Sequence, residues 1–303
     1  MRTIAFGYSS RCNIRCSHCV AAGEPPESTK MELATAREII NQLAEAGVRG
    51  ISFTAGEPFV FFDDLLELLE CCSKGGIYSR VVTNSLWARD RDQAEARLAR
   101  LRRAGLSQLR LSYSRWHQQQ VPREQVLHAA RACQGAGVDY FVSFVTDFSA
   151  EDDPYEAYLR DHDLRFFPEP LIYAGRADGL ERTPLFTDYQ ENRCPMNPYL
   201  APDLTMYACC DAGSHFTTTK VFRLGSLRDS TAAELFARSE SSPLFHCIRN
   251  QGISTIASFA GYRAREIVTH RKCELCKKLF DDPQTLAALE AASARGTLQS
   301  WLR

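Results

Sequence analysis

Three cysteines, Cys12, Cys16 and Cys19, crowd into "RCNIRCSHCV", and no fourth ligand follows nearby. A closed tetrahedral zinc site takes four protein ligands, usually in C-x2-C pairs. A disulfide framework takes an even number of cysteines in a small secreted domain. Three thiolates instead suit a centre that keeps one position open, and soft thiolates select iron–sulfur, zinc or copper(I). An open position argues for catalysis over scaffolding.

A second set lies far downstream: Cys194, the adjacent pair Cys209 and Cys210, and Cys273 and Cys276 in "CELC". "CELC" is a two-ligand clip, and Cys194 and Cys209 flank a hairpin pattern, so four thiolates can converge. Spacing fits a four-cysteine zinc as well as an iron–sulfur cluster, and it leaves Cys209 and Cys210 undecided. Cys71, Cys72 and Cys133 fall in helix patterns and read as small core hydrophobes. Cys247, in "PLFHCIRN", lies between the downstream ligands and reads as a reactive thiol or a buried helix residue.

The elements that must position these groups follow a simple rhythm. "TIAFGYS", "GISFTAG", "SRVVTNS", "SQLRLSYS", "DYFVSFVT" and "LRFFPEPLIY" read as strands, with five amphipathic helix patterns between them. Repeated βα units imply an α/β fold with a parallel sheet, here a partial (β/α)6 TIM-like barrel. Chemistry in such folds sits at the C-terminal strand ends. Cys12, Gly56, Asn84, Ser114 and Asp147 all fall there. After residue 176 the rhythm breaks at the linker-like "GRADGLERTP", which suggests a first domain over 1–180 and a small C-terminal domain over 181–303. In that second part "CELC" is expected to lead into a last polar helix.

With 303 residues the chain can bury a sizeable core. A net charge of -1 gives no basic footprint for nucleic acid. No apolar run approaches the roughly 18 residues of a membrane span. The start "MRTIAFGYSS" lacks a secretory h-region, so no membrane association and a cytoplasmic location are expected.

Cys12-x3-Cys16-x2-Cys19 after the first strand, then "AGEP" (Ala55 to Pro58) after the second, resembles the radical S-adenosylmethionine (SAM) superfamily over about residues 1–175. The resemblance implies a [4Fe–4S] cluster on the three thiolates, with SAM chelated to its unique iron. Gly56 and Glu57 would approach the SAM amino group, and Asn84, Ser112 and the main chain at His18 would contact SAM. His18 stands where the family commonly carries an aromatic, and a solvent-exposed loop histidine is the alternative. Asn84 and Ser112 also fit strand-end capping or a turn. "YAGRA" (Tyr173 to Ala177) is similar to a stretch that closes the adenine pocket in relatives with an extra cluster. The implied chemistry is reductive SAM cleavage to a 5′-deoxyadenosyl radical that removes hydrogen from an unactivated C–H bond. An external donor such as flavodoxin or ferredoxin would supply the electron.

The downstream cysteines resemble the shortened auxiliary-cluster ("twitch") domain of some radical SAM enzymes, implying a second [4Fe–4S] cluster on Cys194, Cys209, Cys273 and Cys276. Overall size, this layout and the spare Cys247 are similar to the radical SAM epimerase of neomycin-type aminoglycoside biosynthesis. That resemblance implies an isomerase of antibiotic biosynthesis which inverts an aminosugar carbon, with Cys247 giving the new hydrogen. A twitch-type dehydrogenase of a sugar alcohol is one alternative. A peptide epimerase or crosslinking enzyme is another; such enzymes usually carry a leader-binding domain ahead of the barrel, whereas this barrel pattern begins at residue 3. A polycationic substrate would want carboxylates at the rim, and Asp147, Glu151, Asp152, Asp153 and Glu169 are candidates, although an exposed acidic loop explains such a run equally well. His117 could reach substrate or simply pack.

Overall fold

The computed structural model describes residues 2–21, 29–182, 193–211, 220–262 and 271–295. Its first part alternates β1 (Arg2–Gly7), α1 (Leu33–Glu45), β2 (Val48–Thr54), α2 (Phe62–Lys74), β3 (Tyr78–Thr83), α3 (Arg91–Arg103), β4 (Gln108–Tyr113), α4 (Arg123–Ala136), β5 (Asp139–Thr146), α5 (Asp153–Asp161) and β6 (Phe166–Pro170). Local sequence accounts for these elements. In α1 the buried Ala36, Ile39, Ile40 and Leu43 recur at helical spacing and form one apolar stripe. Asp90 opens α3 by accepting a hydrogen bond from the Gln93 N–H. In β1, Ile4 and Phe6 are buried in the core while the alternate Thr3 and Ala5 line the interior of the sheet.

The strands lie in the order β6-β5-β4-β3-β2-β1-β7-β8-β9. β1 to β6 are parallel throughout. The fold is therefore α/β with an open, mostly parallel sheet, and the shared strand direction gathers the C-terminal ends on one rim. Residues beyond the expected boundary near 180 join this sheet: β7 (Tyr199–Leu200) pairs parallel with β1, and β8 (Thr205–Tyr207) and β9 (Arg223–Ser226) continue antiparallel. Residues 183–184 of the linker-like stretch and 212–214 at the hairpin end lie outside the described residues.

Among the described residues five helices follow: α6 (Ala232–Ser241), α7 (Pro243–Asn250), α8 (Ile253–Phe259), α9 (Lys272–Asp281) and α10 (Pro283–Ala294). "CELC" does not lead into a last helix but lies within α9, and α10 follows it. Spacing of i, i+3 on a helix puts Cys273 and Cys276 on one face. The α8 helix was not foreseen. It is seven residues of mostly weak helix formers, held by the buried Ile253, Ile256 and Ala257.

Candidate functional site

The three-cysteine loop leaves β1 and is clamped from both sides by main-chain bonds. Gly56 N–H donates to Ser9 O at 3.0 Å and Glu57 N–H to Arg11 O at 2.8 Å. A Cβ on Gly56 would stand 2.0 Å from Arg11 O, so the approach requires glycine. On the other side Arg176 donates from its backbone N to Cys19 O at 3.1 Å and from Nε to Cys16 O at 2.9 Å. Gly175, at φ +61°, lies so close that a Cβ would be 2.5 Å from Val20 O. "YAGRA" thus packs directly on the cysteine loop.

Cys12, Cys16 and Cys19 line one rim cavity of about 260 Å³. Burial, with the neighbouring thiols adding, pushes Cys12 up to about 11 and Cys16 up to about 12. Among the described residues, no group of three or more His, Cys, Asp or Glu stands ready to hold a metal ion. The fit to an iron–sulfur cluster rests on donor chemistry, three thiols on one clamped loop opening into one cavity.

Gly56, Glu57, Asn84, Ser112, His18 and His117 line the same cavity. Buried Glu57 accepts from Phe59 N (3.1 Å) and Thr83 Oγ1 (2.8 Å) on Oε1, and from Asn84 N (2.8 Å) on Oε2. Its carboxyl joins the ends of β2 and β3, and burial outweighs those donors to raise it to about 7. Asn84 makes the turn bond expected of a strand-end residue and also reaches the cysteine loop. Its Oδ1 accepts from Leu86 N at 3.0 Å, a turn bond, while its Nδ2 donates to Asn13 Oδ1 at 2.8 Å in the cysteine loop.

His18 is not an exposed loop residue. It is only 7% exposed, stacks on Trp116 at 5.2 Å and meets His117 edge-on at 4.4 Å. Its Nδ1 is buried without a hydrogen-bond partner. Burial first, then His117 and two arginines, hold its pKa well below the ordinary histidine value. His117 is buried too and held down to about 4, with Nδ1 2.7 Å from Ser114 Oγ.

The rim acids are largely spent on structure. Arg115 grips Asp147 through two bonds of 2.8 and 2.7 Å and Asp152 through one of 2.7 Å, and lies 4.1 Å above the Trp116 ring. Asp147 and Asp152 are buried, whereas Glu151 and Asp153 are exposed, so the exposed acidic loop holds for only part of the run. Burial alone would raise Asp147, but Arg115 holds it well below the usual carboxylate range. Neither Asp147 nor Ser114 lines the rim cavity, unlike Cys12, Gly56 and Asn84. Glu169 does line it, paired with Arg110.

Below the rim lies an interior chamber of about 500 Å³ that shares Val20, Thr54, Ala55, Val82, Arg110 and Asp211 with the rim cavity. Arg80 and Arg110 both lie in it and over the Phe141 ring, at 5.5 and 5.8 Å. Sequence reasoning missed these arginines. The signal was a charged residue inside strands that otherwise read as buried on both faces.

Cys194, Cys209, Cys273 and Cys276 line a small apolar cavity with Met196, Phe222, Ile248 and Ile253. Burial, then Cys209, Cys273 and Cys194 in turn, push Cys276 well above the ordinary thiol value, as expected of crowded thiols. Four soft donors suit zinc or an iron–sulfur cluster alike. Cys210 lines the interior chamber instead. Cys247 lies in α7, fully buried in the main core, and lines neither the rim cavity nor the chamber. Cys72 and Cys133 are core residues and Cys71 packs against the core.

The family model of the radical SAM superfamily matches residues 8–160. A Bacillus subtilis protein named for peptide biosynthesis, YydG, is 27% identical over 117 residues, 38% of this chain and 37% of that protein. The PqqA peptide cyclase of Gluconobacter oxydans is 27% identical over 144 residues, 45% of this chain and 38% of the cyclase. The match thus spans little more than a third of either relative's length. Among solved structures, BtrN in complex with AdoMet and 2-DOIA superposes with a TM-score of 0.50 at 14% identity, covering 83% of this chain and 86% of BtrN. That likeness is one of fold. Among the described residues no helix is long and apolar enough to cross a membrane.

Proposed function

The chain belongs to the radical SAM superfamily, and from that premise we infer that it takes hydrogen from an unactivated C–H bond and that a protein thiol returns hydrogen to the same carbon, an epimerisation. A [4Fe–4S] cluster on Cys12, Cys16 and Cys19, with SAM, supplies a 5′-deoxyadenosyl radical when both are bound. The protein's own part is alignment and exclusion of water. Gly56 and Arg176 fix the loop, Asn84 and Glu57 tie it to β3, and His18, Ser112 and His117 wall the cavity that SAM would fill. The observation that carries this reading is that three clamped thiols open onto a cavity continuous with a chamber large enough for a substrate.

The same reading gives Cys194, Cys209, Cys273 and Cys276 a second [4Fe–4S] cluster and makes residues 181–303 an auxiliary domain, with flavodoxin or ferredoxin as electron donor. Its support is the shared apolar cavity of those four thiols. A neomycin-type aminoglycoside remains the substrate suggested by the sequence resemblance. Against it stand Asp147 and Asp152, already paired with Arg115, and Glu169, paired with Arg110. A polycation would have to compete for them. The peptide-linked names of YydG and the PqqA cyclase favour a peptide substrate as the second reading.

The test is an anaerobic, reduced incubation with SAM in deuterated water over a panel of aminoglycosides and linear peptides. Epimerisation gives a product carrying one solvent deuterium at the inverted carbon. A product lighter by two hydrogens would make the protein a dehydrogenase instead.

A further inference from the structure

We propose that the substrate carries a carboxylate, and that Arg80, with Arg110, holds it in the chamber beneath the rim; this rests on the reading above only in placing the substrate there. Alternation along β3 buries Ser79, Val81 and Thr83 on one side and turns Arg80 and Val82 into the chamber. The register of β3 with β4 sets Arg80 opposite Gln108 and Val82 opposite Arg110. Arg80 therefore starts two residues deeper than Arg110, about 7 Å along the strand. The charged residues lining the chamber are Arg80, Arg110 and Asp211, and Ser52, Thr54 and Tyr78 add hydroxyls.

Hydrogen bonding singles out Arg80. Its Nε donates to Gln108 Oε1 at 2.5 Å, Gln108 donates on to Asp139, and Asp139 is paired with Arg165. Among the described residues no carboxylate pairs with Arg80, and nothing accepts from its two Nη groups. Arg110 differs. Its Nη2 donates to Ser143 Oγ at 2.9 Å and pairs with Glu169, which leaves a buried Nε without a partner. Both guanidiniums lie over the same Phe141 ring, so their remaining donors share one wall of the chamber.

A guanidinium keeps its charge at any working pH. Water in the open chamber solvates Arg80, but radical chemistry needs a substrate that fills the space and excludes water. Such a substrate would strand an unpaired buried cation, which is strongly unfavourable, unless it brings the acceptor itself. A carboxylate has one negative charge and two coplanar oxygens, which match the single fork that Arg80 offers. A phosphate monoester carries nearly two negative charges and would meet the Asp211 carboxylate in the same chamber. An amine-rich ligand would face two guanidiniums for that one carboxylate. The carboxylate is the acceptor that fits.

The test is calorimetric titration of the anaerobically reconstituted, SAM-loaded protein with a terminally blocked tripeptide, Ala-Glu-Ala, and its twin Ala-Gln-Ala, which lacks the carboxylate. Wild-type protein is expected to bind the Glu peptide about 10-fold or more tightly than the Gln peptide, the worth of charge-assisted hydrogen bonds. Arg80→Gln should erase that preference and Arg80→Lys should keep part of it, with iron content as the check on folding. Equal affinity of wild-type protein for the two peptides, which needs no variant to measure, would overturn the proposal. So would a preference that survives Arg80→Gln. Inorganic phosphate or spermidine binding more tightly than the Glu peptide would hand the chamber to a phosphate or a polycation and end the carboxylate assignment. The proposed reaction fails separately. A Glu preference with a product lighter by two hydrogens would keep this site and end the epimerase reading, whereas a deuterated epimer without any Glu preference would do the reverse.

Discussion

The two cysteine regions collect their thiols by opposite routes. Upstream, three thiols come from one short loop, and main-chain bonds from Gly56, Glu57 and Arg176 hold it in place. Downstream, Cys194, Cys209, Cys273 and Cys276 come from a hairpin and from α9, brought together by apolar side chains such as Met196, Phe222 and Ile248. The upstream site depends on backbone approach, which tolerates no added atom at two glycines. The downstream site depends on packing and, under the proposed reading, on the group it would bind, since metal binding to such a set is itself folding energy. The two touch where α9 meets the cysteine loop: Cys273 and Cys276 pack with Ile172, Ala174 and Val20, and buried Glu274 accepts from Tyr173 N at 3.2 Å.

That contrast can be broken at either end. The largest effect is expected from Gly56→Ala, whose Cβ meets Arg11 O at 2.0 Å and must push the loop aside. Displacement of a reacting group by an ångström costs about 100-fold or more, so 5′-deoxyadenosine formation should fall at least that far while the downstream iron stays. Unimpaired cleavage would show that the clamp is dispensable. Phe222→Ala attacks the other region. Phe222 is buried, stacks on Phe245 at 5.8 Å and meets Phe280 edge-on at 4.8 Å. Its loss should cost about 3–5 kcal/mol in denaturant unfolding and should lower downstream iron before upstream iron; equal loss from both would argue against separate supports.

Arg115→Ala tests how His18 is held. The change strands the buried carboxylates of Asp147 and Asp152 and removes the cation above Trp116, on which His18 stacks. Breaking a buried pair costs about 3–5 kcal/mol at most; a loss below about 1 kcal/mol in chemical denaturation would mean that solvent screens the network. The smallest effect expected is one of pH. His117 is lowered from 6.5 to about 4 by burial, so the unfolded chain binds a proton that the fold refuses. Stability is full above pH 6.5 and is lost as pH falls through 6.5 towards 4, by about 3 kcal/mol from this group. His18 adds a contribution of the same sign. His117→Gln should flatten that slope between pH 6.5 and 4, and an unchanged slope would assign it elsewhere.

The βα rhythm was legible because each strand and helix carries its own period: Ile4 and Phe6 at two, Ile39 and Leu43 at four. The cysteine loop and Gly56 were legible because their chemistry is local. What stayed hidden depends on partners far along the chain. His18 is buried by Trp116 and His117 from beyond β4, and the acids after β5 are consumed by Arg115. The choice between Cys209 and Cys210 turns on which way each side chain faces once β8 is paired, which spacing does not encode. Arg80 and Arg110 look like strand impurities until the open sheet gives them a chamber.

The most direct test of the central claim is SAM cleavage by the anaerobic, reduced protein, with 5′-deoxyadenosine and iron measured together. Wild-type protein is predicted to form 5′-deoxyadenosine and to carry about eight irons as two [4Fe–4S] clusters. The Cys12→Ala, Cys16→Ala, Cys19→Ala triple variant is predicted to keep about four irons and to form none. If that variant still yields 5′-deoxyadenosine, the three-cysteine loop is not the radical centre and the account is wrong.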